Sequence, residues 1–259
     1  MFYSKTIFNI TLLFSLCFSI KAQNKVPLTE QDKHSLEGII VEKYYVATDK
    51  DIADTTGGAL PNNAVTYRIY VDLKPGYKLQ AIYGVPKHDM FIKTTSQFYN
   101  HRKGETTGTD IDDKSLNENN YALDSWITMG GATKRHFGIL LKEDTDGSFI
   151  KKDALNKTDG LQEGFIYKVA YFGLDLSFFN NAKNASSYFS NNGSWAILGG
   201  VSGPTEENKI LIAQLTTNGK LAFELNIQVG TPTKGVVNFV AKNPEEQEIK
   251  FDALTFQSK

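Results

Sequence analysis

The chain has a single cysteine, Cys17, and it falls in the first 22 of 259 residues. Those residues carry Lys5, an apolar stretch from Ile7 to Ile20, and Ala22 before a polar boundary. They read as a secretory signal peptide cleaved after Ala22. The apolar run falls short of the ~20 residues a bilayer span needs, which argues against an anchor. Leu16 occupies the place where a lipoprotein site wants a small side chain, so Cys17 is not read as a lipidation point. The exported chain then has no disulfides and depends on its core or on bound ions.

Other absences exclude whole classes of function. No later segment is long and apolar enough to span a membrane as a helix, so membrane insertion is not expected. Of 28 basic residues, loss of Lys5 and Lys21 leaves 26 against 29 acids, a formal charge of −3. Both signs are interspersed, so no basic stripe recommends nucleic acid as a partner. There is no G-x-S-x-G elbow, no P-loop and no dinucleotide glycine fingerprint. His34, His88, His101 and His136 show neither H-x-H nor H-E-x-x-H spacing and read as solvated loop histidines rather than zinc ligands. Glycoside hydrolysis needs only two carboxylates flanking a bond, which the composition permits and no motif selects. No catalytic residue is assigned.

What is present is β-structure. Lys209 to Gly230 reads KILIAQLTTNGKLAFELNIQVG, with Asn218-Gly219 between two alternating apolar runs. That pattern predicts a hairpin with a type I′ turn. After the turn Leu221, Phe223, Leu225, Ile227 and Val229 share one face, and polar residues take the other. Leu36 to Val46 and Val65 to Leu73 are β-branched and aromatic enough for strands. In the second, Val65, Tyr67, Ile69, Val71 and Leu73 lie on one side. Lys74-Pro75-Gly76 has the residues of a type II turn and leads into Leu79 to Tyr83, predicting another hairpin.

Further strands are read at Met90 to Tyr99, Ala122 to Met129, Phe137 to Leu141, Ile166 to Leu174, Val236 to Ala241 and Ile249 to Phe256. The apolar spacing of Leu176 to Phe189 predicts one short helix. Long polar stretches at Thr48 to Asn63, His101 to Asn120 and Glu143 to Gly160 interrupt the strands; the second is long enough to be functional or disordered. About a dozen strands without a βαβ rhythm predict an all-β antiparallel two-sheet sandwich, jelly-roll-like, with at most one short helix. An up-and-down barrel is the second choice. Residues 23–35 read as a polar leader and 36–259 as a single domain.

Two site types are compatible with these residues. Asp49, Asp51 and Asp54 place three carboxylates within six residues of a Gly-containing loop, a collection of hard oxygens suited to Ca2+. The run Glu143-Asp144-Thr145-Asp146-Gly147 echoes an EF-hand, but Lys142 stands where its first ligand belongs. Trp126, Trp195 and 12 tyrosines offer faces that stack on pyranose rings. Tyr70 falls on the polar side of its strand and is read as exposed; Trp195 reads more naturally as a core anchor at a strand start. Tyr70, Trp126 and Trp195 are the stacking candidates.

Several segments resemble secreted Bacteroidota modules: Val65 to Asp72, Pro75 to Tyr77, Leu79 to Ala81, Asp124 to Trp126, Asn192 to Trp195, Gly203 to Thr205, and Lys209 to Gln214 through Phe223 to Gln228 into Gly230 to Pro232. The likeness covers roughly residues 37–241 and implies an exported module with no catalytic residue to carry over. Members of that group are parts of larger surface proteins, often ending in a sorting domain of the type IX secretion pathway. This chain stops at Lys259 after one module, which leaves the periplasm or release open beside the cell surface. The expectation is an exported, non-catalytic sandwich that binds a glycan or a cell-surface partner. A polysaccharide hydrolase and a calcium-stiffened structural module are the alternatives.

Overall fold

The computed structural model describes residues 27–144, 159–179 and 185–259. The signal-peptide reading of residues 1–22, Asp146 and most of the third polar loop therefore lie outside the described residues. Of the described residues 42% are strand and 14% helical, an all-β sandwich of several antiparallel sheets that do not close into a barrel.

In chain order the described strands are β1 (Leu36–Val46), β2 (Val65–Leu73), β3 (Lys78–Gly84), β4 (Met90–Thr94), β5 (Trp126–Ile127), β6 (His136–Gly138), β7 (Leu161–Glu163) and β8 (Ala170–Phe172). They continue with β9 (Ser187–Ser190), β10 (Gly193–Val201), β11 (Lys209–Thr217), β12 (Leu221–Glu224), β13 (Asn226–Gly230), β14 (Val236–Val240), β15 (Glu248–Lys250) and β16 (Thr255–Gln257). One sheet has the order β1-β2-β11-β5 and a second β15-β14-β13-β3-β10-β8. A third runs β16-β12-β4-β9, and β6-β7 form a ribbon. The sandwich thus comprises three large sheets and a two-stranded ribbon. They bury one shared core, to which β2 gives Ile69 and Val71, β3 gives Ile82, β10 gives Trp195 and β12 gives Phe223.

Neither predicted hairpin forms. β11 pairs with β2 and β5, while β12 pairs with β4 and β16, so the chain changes sheet at Asn218-Gly219. Neither residue has the positive φ that a type I′ turn requires. Gly219 is instead needed for close approach, since a Cβ there would meet Thr94 Oγ1 at 2.4 Å and Ser96 N at 2.5 Å. The Thr217 and Thr94 hydroxyls lie 2.9 Å apart, and Lys220 N donates to Thr95 Oγ1, so the end of β4 captures the chain. The Lys74–Tyr77 turn does form, with Gly76 at φ +88° and Tyr77 N donating to Lys74 O. It too joins strands of different sheets. In both places a non-local partner outcompetes the local one.

The helical turns also fall away from their predicted place. α1 (Glu30–Lys33) and α2 (Asp49–Ala53) are single turns, each begun by a capping box from Thr29 and Thr48. Leu176–Phe179 is a 3₁₀ turn and Ser187–Ser190 is strand, so no helix spans the two. Residues 28–35 belong to the domain and are not a leader outside it. Leu28 packs on the core, and buried Asp32 accepts the Tyr77 hydroxyl at 2.9 Å.

The polar excursion from His101 to Asn120 is ordered and forms a roof. Its Ile111 and Leu116, with Tyr121, Trp126, Leu140 and Leu161, pack on Tyr70 and Leu211 from the outward face of the first sheet. The alternation of β2 is as predicted, with Ile69, Val71 and Leu73 inward. Its other face is simply covered as well.

Candidate ligand-binding face

The stacking residues read from sequence are all buried. Tyr70 is 0% exposed and donates its hydroxyl to Ile139 O at 2.8 Å. Trp126 lies within the roof cluster, and a Cβ on Gly108 would come within 3.0 Å of its ring. Trp195 is 0% exposed and donates its indole N–H to Thr128 O at 3.0 Å. None of the three presents a face to a ligand. For Trp195 the core-anchor reading stands.

Asp49, Asp51 and Asp54 sit on one helical turn but do not converge. Asp49 is exposed, and Asp54 Oδ1 accepts from Thr56 N at 3.0 Å. Asp51 is buried, and its Oδ2 accepts from Thr48 N, Thr48 Oγ1 and the Tyr45 hydroxyl. Burial and that last contact push the Tyr45 phenol up to about 12. No group of three or more His, Cys, Asp or Glu placed to hold a metal occurs among the described residues. Asp51→Ala is therefore expected to lower stability by about 1–2 kcal/mol through loss of the cap. In urea denaturation the loss should be the same with calcium or with chelator; a loss confined to calcium-containing buffer would restore the metal reading.

Beneath the roof lies a buried polar layer. Arg68 stacks its guanidinium 3.6 Å above the Tyr44 ring, and donates to Gln214 Oε1 and Gly160 O. Glu42 faces Arg68 across β1 and β2, with Oε1 accepting from Leu141 N. Burial pushes the Glu42 carboxyl above its ordinary range. Glu143 nearby is paired with Lys209 at 3.1 Å. Burial opposes ionisation of Asp113, but hydrogen bonds from Thr133, Arg135 and His136 more than offset it and hold that carboxyl low. Arg68, Glu42 and Lys209 thereby tie Gly160 and Leu141–Glu143 to the first sheet, and Asp113 ties the roof to β6. Three histidines read as solvated are in fact buried: His88 against Glu248, His136 against Asp113, and His101 under Gly57, where burial lowers its pKa. Only His34 is exposed.

The outward face of the six-stranded sheet is different: among the described residues no cluster like the first sheet's roof covers it. Strand register places Phe172, Ser194 and Tyr83 in one row across β8, β10 and β3. The next row is Ala170, Ala196, Ala81, Gln228 and Asn238 across β8, β10, β3, β13 and β14. The side chains between them, Trp195, Ile82, Ile227 and Phe239, point into the core. Ala170 and Phe172 are exposed, and every other residue of the two rows is half-buried. The alanines and Ser194 make a low floor, Phe172 stands at one edge, and Gln228 Nε2 donates to Asn238 Oδ1 at 3.2 Å. Of seven large exposed hydrophobics among the described residues, Phe172 is the one that lies in these two rows.

Such a face offers a flat apolar surface beside amide groups that both donate and accept. The sequence carried a partial signal, since Phe172 lies in a segment read as a strand. Nothing in it showed that β8 is an edge strand with an open outward side. No family model matches the chain, and no similar curated protein or solved structure was found.

Proposed function

We propose that this protein is an exported, non-catalytic binding module that holds a glycan on the outward face of its six-stranded sheet. The observation that carries the reading is the unroofed double row running from Phe172 and Ala170 to Gln228 and Asn238. Exposed aromatic rings bind by stacking on the apolar faces of sugar rings, and side-chain amides exchange hydrogen bonds with hydroxyls. The small residues of the floor let a ring approach the sheet. The carboxylates under the roof serve as structural contacts, which favours binding over hydrolysis.

Native electrophoresis through gels containing single polysaccharides tests this, with the same mixtures assayed for new reducing ends. Retardation without release is expected. Phe172→Ala should weaken it about tenfold, the effect of removing an aromatic contact, without loss of folding because the side chain is exposed. Retardation that survives both Phe172→Ala and Gln228→Ala would move the ligand off this face. Release of reducing ends would replace the module by a hydrolase, and no retardation on any glycan would favour a cell-surface protein partner.

A further inference from the structure

His101 stands at the start of the roof and is 2% exposed. Gly57 lies directly on its ring, where a Cβ would stand 1.9 Å from Cδ2 and 2.0 Å from Nε2. The Tyr121 ring meets it edge-on, with centroids 5.0 Å apart. The loop that carries Gly57, residues 54–58, has a second fastening beside the first. Arg102 N donates to Gly57 O at 2.6 Å. His101 and its neighbour thus hold a surface loop whose Thr55 and Thr56 are exposed.

The hydrogen bonds fix the protonation state of this imidazole. Lys103 N donates to Nδ1 at 3.1 Å, so Nδ1 is bare and the neutral ring carries its proton on Nε2. A second proton has only Nδ1 to go to, and there it would face the N–H that Nδ1 now accepts. Nε2 has no hydrogen-bond partner among the described residues, so the cation gains no acceptor in exchange. Burial, the largest influence, lowers the pKa; of the charges around the ring, Glu118 and Asp54 favour the cation while Lys103 and Arg102 oppose it. The closed arrangement therefore needs a neutral ring. We propose that His101 is an acid-sensitive latch, whose protonation expels the ring from beneath Gly57 and releases the 54–58 loop from the roof. An imidazole in water takes up its proton near about pH 6.5, so the latch holds above that and weakens as the pH falls below it. Release uncovers Tyr99, whose ring lies against Gly58 and whose buried hydroxyl has no partner among the described residues.

Hydrogen exchange of the protein across a pH series, corrected for intrinsic rates, reads the latch at the amides of Arg102 and Lys103. Their protection should fall about tenfold between about pH 7 and about pH 5.5, as the open state accepts a proton that the closed state resists. In His101→Asn the side-chain oxygen takes the place of Nδ1 as acceptor and does not titrate. That variant should be less protected at every pH, because the ring packing is lost, and should show no step. Asp124 is the other group at this bend that acid neutralises, since its Oδ1 accepts from His101 N and burial holds its carboxyl above the ordinary range. A step that persists in His101→Asn would belong to Asp124 and overturn the proposal. Wild-type amides equally protected at both ends of the series overturn it as well.

Discussion

Trp195→Ala is expected to lower the free energy of unfolding by about 3–5 kcal/mol, the range for emptying an aromatic site in a packed core. The ring is fully buried near the start of β10, on the middle strand of three, with Tyr171 of β8 and Ile82 of β3 as its cross-strand partners. Little around it can collapse, because its neighbours are held by pairing on both sides. The substitution also leaves Thr128 O without the indole donor that reaches it at 3.0 Å. Trp195→Phe keeps most of the volume and loses the donor, so about 1–2 kcal/mol is expected from the orphaned acceptor and imperfect fit. Urea unfolding followed by far-ultraviolet circular dichroism reads both. If Trp195→Ala left stability within about 0.5 kcal/mol, the size of an ordinary surface change, the core described here would be wrong.

Asp124→Ala is expected to cost about 3 kcal/mol, since a buried and a half-buried N–H donor each lose their acceptor. The carboxylate is 0% exposed; Oδ1 accepts from His101 N at 2.7 Å and Oδ2 from Glu105 N at 3.0 Å. It thereby closes the His101–Glu105 bend at the start of the roof. Gly104 makes room for it, since a Cβ there would stand 2.1 Å from Oδ2. Burial pushes the carboxyl well above its ordinary range, against the backbone donors of His101, Glu105 and Ser125. Asp124→Asn keeps the shape but must aim its NH2 at one of the two donors. It should fall between wild type and alanine. Hydrogen exchange separates this from a general loss of packing. The amides of His101 and Glu105 should lose protection at lower denaturant than those of β2. Simultaneous loss across the whole chain would show that the bend has no independent stability.

Much of the strand content was legible from residue types alone. Leu36 to Val46 and Val65 to Leu73 match their strands end to end, because β-branched and aromatic residues fill them and turn-formers bound them. The Lys74–Tyr77 turn was legible for the same reason, proline and glycine each being suited to one position. The roof was not. Its residues are polar, and only Ile111 and Leu116, with Tyr121 just beyond, reveal a buried side, at a spacing that matches no regular period. In sequence Asp51 reads as a metal ligand because three aspartates in six residues look the same whether they face an ion or cap a helix; in the structure its carboxylate caps α2.

By itself the sequence determined the all-β class, the inward row of β2 and the absence of known catalytic motifs. These depend on local pattern, and a period of two dictates which side chains share a face whatever lies beyond them. Tertiary structure alone decided which strands pair, what covers each face and which aromatics reach solvent. Asn218-Gly219 turns back in a free hairpin, but here Thr94 and Ser96 bring a competing partner into contact and the chain crosses to another sheet. Tyr70 and Phe172 both lie on outward faces. One is buried by a roof some forty residues along the chain, and the other stands open on an edge strand. Periodicity encodes a direction from the strand, whereas burial depends on what the rest of the chain places there.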